Sequence, residues 1–186
     1  MRILDDLTAR EQRLSAELDR LRSARAGLAD PATEEAAARA EAERRAAVLG
    51  VLAGTRPATG RGVVVTIDDP SGTVTAEVLL DAVEELRNAG AQALQLGPVR
   101  VVASTYLIDA EGGVEVDETL LRPPYVFRAV GDPGTLEPAL AIRGGILDTV
   151  ARQEGAGARV ETPEQVEVTA IREPEPLEFA TPVEES

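Results

Sequence analysis

Hydrophobic positions recur along this chain with three different periods. In the first third, Leu7, Leu14, Leu21 and Leu28 are spaced by seven, and Leu4 and Leu18 fall on the partner positions of the same heptad. A seven-residue apolar repeat favours a helix that supercoils with another helix. The other two partner positions carry Glu11 and Arg25, which weaken that seam. Asp30-Pro31 interrupts the pattern, and a proline is well accepted at the first position of a restarted helix. The following Ala, Glu and Arg residues up to Leu52 are strong helix formers, and Leu49 falls in the same register as Leu28.

The period then changes. Residues 53–59 read as a linker, since Gly54 and Pro57 punctuate them. Val63 to Ile67 is a β-branched run expected to form a strand covered on both faces. Asp68-Asp69-Pro70-Ser71-Gly72 turns the chain, and Thr73 or Thr75 is placed to cap a helix with Leu79, Ala82, Val83 and Leu86 on one stripe. Gly90 ends that helix as a left-handed residue. Ala91–Leu96 alternates as a strand, and Val99–Val102 reads as a bend leading into a strand over 104–109. A hairpin turn at Glu111-Gly112-Gly113 returns Val114–Asp117. Tyr125–Val130 is a further strand, and Asp132-Pro133 opens a helix as cap and first residue. A short helix is expected over 146–152, and one or two strands over 159–171.

This order predicts an α+β chain. A helical coiled-coil stalk (residues 1–52) precedes a small two-layer domain (residues 60–172), ferredoxin-like or related. Its helices lie on one face of a mainly antiparallel sheet. Residues 173–186 are acidic and proline-rich, and are expected to be disordered.

Composition narrows the chemistry. The 186 residues include no Cys, no His and no Lys, and the aromatics are two Tyr and two Phe. Without these side chains there is no thiol nucleophile, no imidazole base, no Schiff-base lysine and no P-loop lysine. The net charge of −14 is concentrated late: residues 51–186 hold ten Arg against 23 acids. Such a surface repels phosphate backbones and anionic lipid, so nucleic acid is excluded as a partner. No run of about 18 apolar residues is present, and the first residues do not form a signal peptide.

The chemistry that remains belongs to carboxylates, Arg, Ser, Thr and Tyr. Asp68 and Asp69, with Asp132, could hold a hard divalent cation through oxygen. Their alternative is structural: turn hydrogen bonds before Pro70 and a helix cap. Arg100 could contact an anionic group or pair with a surface acid. Tyr125 could pack in the core or offer an edge contact. No catalytic residue and no cofactor are expected.

Several segments resemble the bacterial domain of unknown function 881 family, the YlxW/YlxX-like proteins. They are Gly62–Asp69, Glu85–Leu96 with Arg100, Pro124-Tyr125, Ala129–Pro133 and Phe179–Pro182. The resemblance implies a membrane-anchored protein with one N-terminal transmembrane helix, a coiled coil and this domain outside the cytoplasm, in relatives encoded beside cell-division and peptidoglycan genes. It implies no activity, cofactor or catalytic residue. The chain departs from the pattern by showing no transmembrane segment, so membrane association is expected only through an anchor this sequence does not contain. The combined expectation is a non-enzymatic structural and interaction protein of the cell envelope. It would associate with itself or with another coiled-coil protein through Leu4, Leu7, Leu14, Leu18, Leu21 and Leu28. The alternative is a small-ligand or divalent-cation sensor.

Overall fold

The computed structural model describes residues 14, 16–18 and 31–173. The chain divides into two units at Ala46 and Ala47. In the first, Leu14 and residues 16–18 are helical, and α1 (Pro31–Leu52) begins at its proline and continues across the boundary. From Thr33 to Ala46 the apolar side chains on α1 are all alanines, so it carries no stripe of large side chains there. Its exposed pairs, Arg39 with Glu43 and Glu41 with Arg44 and Arg45, are screened by solvent and add little to stability.

The second unit is built on a five-stranded antiparallel sheet. Its strands are β2 (Gly62–Asp68), β3 (Ala93–Leu96), β4 (Val99–Val101), β8 (Tyr125–Val130) and β9 (Gly157–Glu161), in the order β4-β3-β8-β2-β9. Alternation along β2 sends Val63, Val65 and Ile67 to one face, where they are fully buried. Helices α2 (Ala76–Asn88), α3 (Pro133–Leu140) and α4 (Ile146–Ala151) supply Leu79, Leu86, Leu136, Leu140 and Ile146 to the same core. Each such side chain contributes about 1.5–3 kcal/mol by leaving water. Gly62 lies so close to β8 that an added Cβ would sit 1.9 Å from the Ala129 carbonyl oxygen.

Three features depart from the pattern read along the chain. The segment taken as a bend, 99–102, contains β4, which pairs with β3 across the Gly97-Pro98 turn. Beyond it lies a separate meander of β5 (Leu107–Ala110), β6 (Gly113–Val116) and β7 (Thr119–Leu121), the last not foreseen. The end of the linker, Ala58–Gly60, is strand β1, paired with β10 (Val166–Val168). That ribbon and Val51 of α1 pack against Ala93, Val130 and Val64. The sheet is therefore partly covered on its second face too, and the simple two-layer picture is corrected. Three-residue strands hold too few positions to display alternation; tertiary pairing creates them.

Candidate functional site

Arg100 lies at the centre of β4, opposite Gln95 of β3. Its side chain lies on the face of the sheet away from α2, α3 and α4, under the chain that enters and leaves the domain. It is 3% exposed. Nη2 donates to the Val51 carbonyl at 2.7 Å, in the last turn of α1, and Nη1 donates to the carbonyls of Arg56 and Ala170 at 3.1 and 3.2 Å. The acceptors come from three separate stretches of chain, and a helix C-terminus is a favourable place for a cation. Burial pulls the guanidinium pKa below its ordinary value. Gly54 makes the approach possible: its φ is +79°, and a Cβ there would meet Val102 at 2.6 Å and the Arg100 Cγ at 3.1 Å. Gln95 extends the clamp by accepting from the Ala170 N–H at 2.9 Å and donating to the Gly97 carbonyl. The sequence left Arg100 to contact an anionic group or to pair with a surface acid. Instead, the guanidinium binds carbonyl groups, because the returning chain covers it.

A groove of about 680 Å³ opens beside Arg100. Pro98 and Val99 form one wall, Tyr106 and the β6–β7 turn another, and Ile171 to Glu173 a third. The turn has two central residues, Asp117 (φ 44°) and Glu118 (φ 65°), both left-handed although neither is glycine. A two-residue hairpin turn of this kind requires such angles and normally recruits Asn-Gly. Asp117 is held there by its own carboxylate. It accepts from the Thr105 hydroxyl at 2.9 Å and the Tyr106 N–H at 3.1 Å, and faces Arg172 at 3.4 Å. Glu118 is exposed, so burial does not compensate its backbone conformation. Tyr106, Asp117, Glu118 and Arg172 were not singled out in the sequence. For Asp117 and Glu118 the signal in the sequence is the pair of short strand-like runs, Val114–Val116 and Thr119–Leu121, flanking them.

The three aspartates considered for a cation are not brought together. Asp68 ends β2 and binds Arg159 of β9 at 2.6 Å. Asp69 is buried and accepts from the Thr73 N–H, the Thr73 hydroxyl and the Val74 N–H, at 2.9–3.1 Å. Asp132 caps α3 through the Gly134 N–H at 3.1 Å. Since Val130 pairs with Gly62 and Tyr125 with Ile67, Asp132 lies at the opposite end of the sheet from Asp68. Among the described residues no group of three or more acidic side chains is placed to hold a metal ion. Thr75 stands at the cap position of α2 without a side-chain cap bond; Asp109, from β5, accepts the Ala76 N–H at 2.7 Å instead. Tyr125 is buried, and its phenol pKa is raised by burial and then by Asp69 and Asp109. Glu85, beside a second cavity of about 420 Å³, accepts the Ile146 N–H at 3.1 Å. Burial raises its pKa most, the Ile146 bond opposes that, and Asp81 adds to it. Of the heptad leucines, Leu14 and Leu18 are helical and 62% and 53% exposed; Leu4, Leu7, Leu21 and Leu28 lie outside the described residues. The groove thus offers charge, a phenol and apolar walls, suited to recognition.

Residues 45–181 match the family described as bacterial protein of unknown function (DUF881). A UPF0749 protein of Mycobacterium tuberculosis is 40% identical over 185 residues, covering 97% of this chain and 63% of the relative. The UPF0749 protein YlxW of Bacillus subtilis is 31% identical over 102 residues, covering 50% of this chain and 44% of that protein. The crystal structure of an uncharacterized conserved protein from Mycobacterium tuberculosis superposes with a TM-score of 0.68 at 43% identity, covering 75% of this chain and 99% of that one. The chain therefore spans somewhat less than two thirds of the length of the mycobacterial relative.

Proposed function

The chain belongs to the bacterial family of unknown function DUF881, and on that premise we propose that it is a non-enzymatic structural and interaction protein of the cell envelope, self-associating through its helical segment. The observation that carries this reading is the pair Leu14 and Leu18, four apart on a helix and both more than half exposed. Large apolar side chains at heptad positions gain about 1.5–3 kcal/mol each when a partner helix covers them. The envelope setting, and a link to division or wall synthesis, rest on the family resemblance. We read the domain itself as a ferredoxin-like core with an inserted meander. Strands β2, β3, β8 and β9, with helices after the first and third of them, stand in the order β3-β8-β2-β9, which supports that reading. The domain would act as the platform on which a partner is recognised.

Light scattering tests the proposal. The wild type is expected to be a dimer or larger, and Leu14→Asp with Leu21→Asp to return a monomer. A wild type that stays monomeric at high concentration would remove the basis for the coiled coil. The groove beside Arg100 favours a second reading, a small-ligand sensor, with Arg100 contacting an anionic group. Its weakness is that both Nη atoms of Arg100 already bind carbonyls. A thermal-shift series with divalent cations and cell-wall fragments addresses it, and no shift with any of them would end it.

A further inference from the structure

The β5–β6–β7 meander turns Val114, Val116 and Leu121 into the core. Alternation sends the other set outward. Ile108, Glu115 and Leu120 stand in one cross-strand row, since Ile108 pairs with Glu115 and Glu115 with Leu120. Ile108 is 48% exposed, Leu120 40%, and Tyr106, two residues before Ile108 on the same side, 43%. An outward sheet face of this size with three large apolar side chains is not needed to fold the domain. We propose that this face is a docking surface for a segment of a partner protein that combines apolar and basic side chains.

Charge selects the occupant. Glu115 sits between Ile108 and Leu120, and Glu118 stands exposed at the end of the same hairpin. The domain of a second copy, with ten Arg against 23 acids over residues 51–186, is disfavoured. Nucleic acid and anionic lipid are disfavoured for the same reason. A basic, apolar protein segment satisfies both features of the surface. This surface lies apart from the heptad leucines, so it stands or falls independently of the helical self-association.

Fluorescence anisotropy on the full chain tests it with three labelled probe peptides: one alternating Leu and Arg, a version with Ser for Leu, and a version with Glu for Arg. The Leu/Arg peptide is expected to bind. Ile108→Ser with Leu120→Ser should weaken it about tenfold, and Glu115→Gln with Glu118→Gln by several-fold. Ile142→Ser, at an exposed apolar residue outside the meander, should leave it unchanged. The charge variant keeps the test valid should the serine variant unfold. The proposal is overturned if the Leu/Arg peptide does not bind, if either double variant binds it as the wild type does, or if Ile142→Ser weakens it equally. It is also overturned if the Ser/Arg or Leu/Glu peptide binds equally well, or if the serine variant changes the oligomeric state, which would make a second copy the occupant.

Discussion

Arg100 shows how much one side chain can organise. It ties α1, the linker and the returning C-terminal segment to the edge of the sheet through three carbonyls. Arg100→Met keeps the length but leaves those acceptors without their donor. Urea unfolding is expected to show a loss of about 2–4 kcal/mol. Arg100→Lys should recover only a small part, because one ammonium cannot reproduce the planar fork. Glu85 gives a second prediction. A carboxyl whose pKa is raised on folding binds protons more tightly in the folded chain than in the unfolded one. Its contribution to stability is fully present below the ordinary value of 4.5 and is lost as pH rises through the raised folded value. Glu85→Gln retains an acceptor for the Ile146 N–H without the charge. Unfolding midpoints measured from acid to neutral pH should therefore fall less for the variant than for the wild type above 4.5; identical profiles would contradict this.

Among the elements, the β6–β7 turn separates stability from recognition. Glu118→Gly relieves a left-handed residue, while glycine adds freedom to the unfolded chain. The net expectation is a gain of about 0.5–1 kcal/mol. Asp117→Ala removes the bonds to Thr105 and Tyr106 and the contact with Arg172, and should cost about 1–3 kcal/mol by the same denaturant titration. If Glu118→Gly also weakens the Leu/Arg peptide, the residue is kept for contact at the expense of stability. Gly62 makes the matching point in the main sheet. Any side chain there meets the Ala129 carbonyl at 1.9 Å, so Gly62→Ala should disrupt the β2–β8 ladder.

For the whole molecule, the division between Ala46 and Ala47 sets what each unit contributes. The core of Val63, Ile67, Phe127 and Leu136 lies entirely in the second unit. Leu14→Asp with Leu21→Asp is therefore expected to change mass in light scattering while leaving the domain's unfolding transition within about 0.5 kcal/mol of the wild type. A large drop in domain stability would mean that self-association supports the fold.

The sequence by itself determined the elements that carry enough positions to show a period. The Val63–Ile67 strand, the Leu79–Leu86 stripe, the Tyr125–Val130 strand and the Asp132-Pro133 helix start are legible because each obeys a local rule: an apolar, β-branched or aromatic run, helical spacing or capping. The absence of His, Cys and Lys likewise limits the chemistry open to the chain. Only the tertiary structure decided the rest. Strands β1, β4 and β7 are three residues each and exist because a neighbour supplies their hydrogen bonds. Asp109 caps α2 from far along the chain, where Thr75 was the local candidate. Asp68 and Asp132 are separated by antiparallel pairing that no spacing along the chain reveals. Arg100 is buried because chain from both ends of the domain crosses over it. Local rules act over a few residues, whereas burial and pairing depend on segments that meet only once the chain has folded.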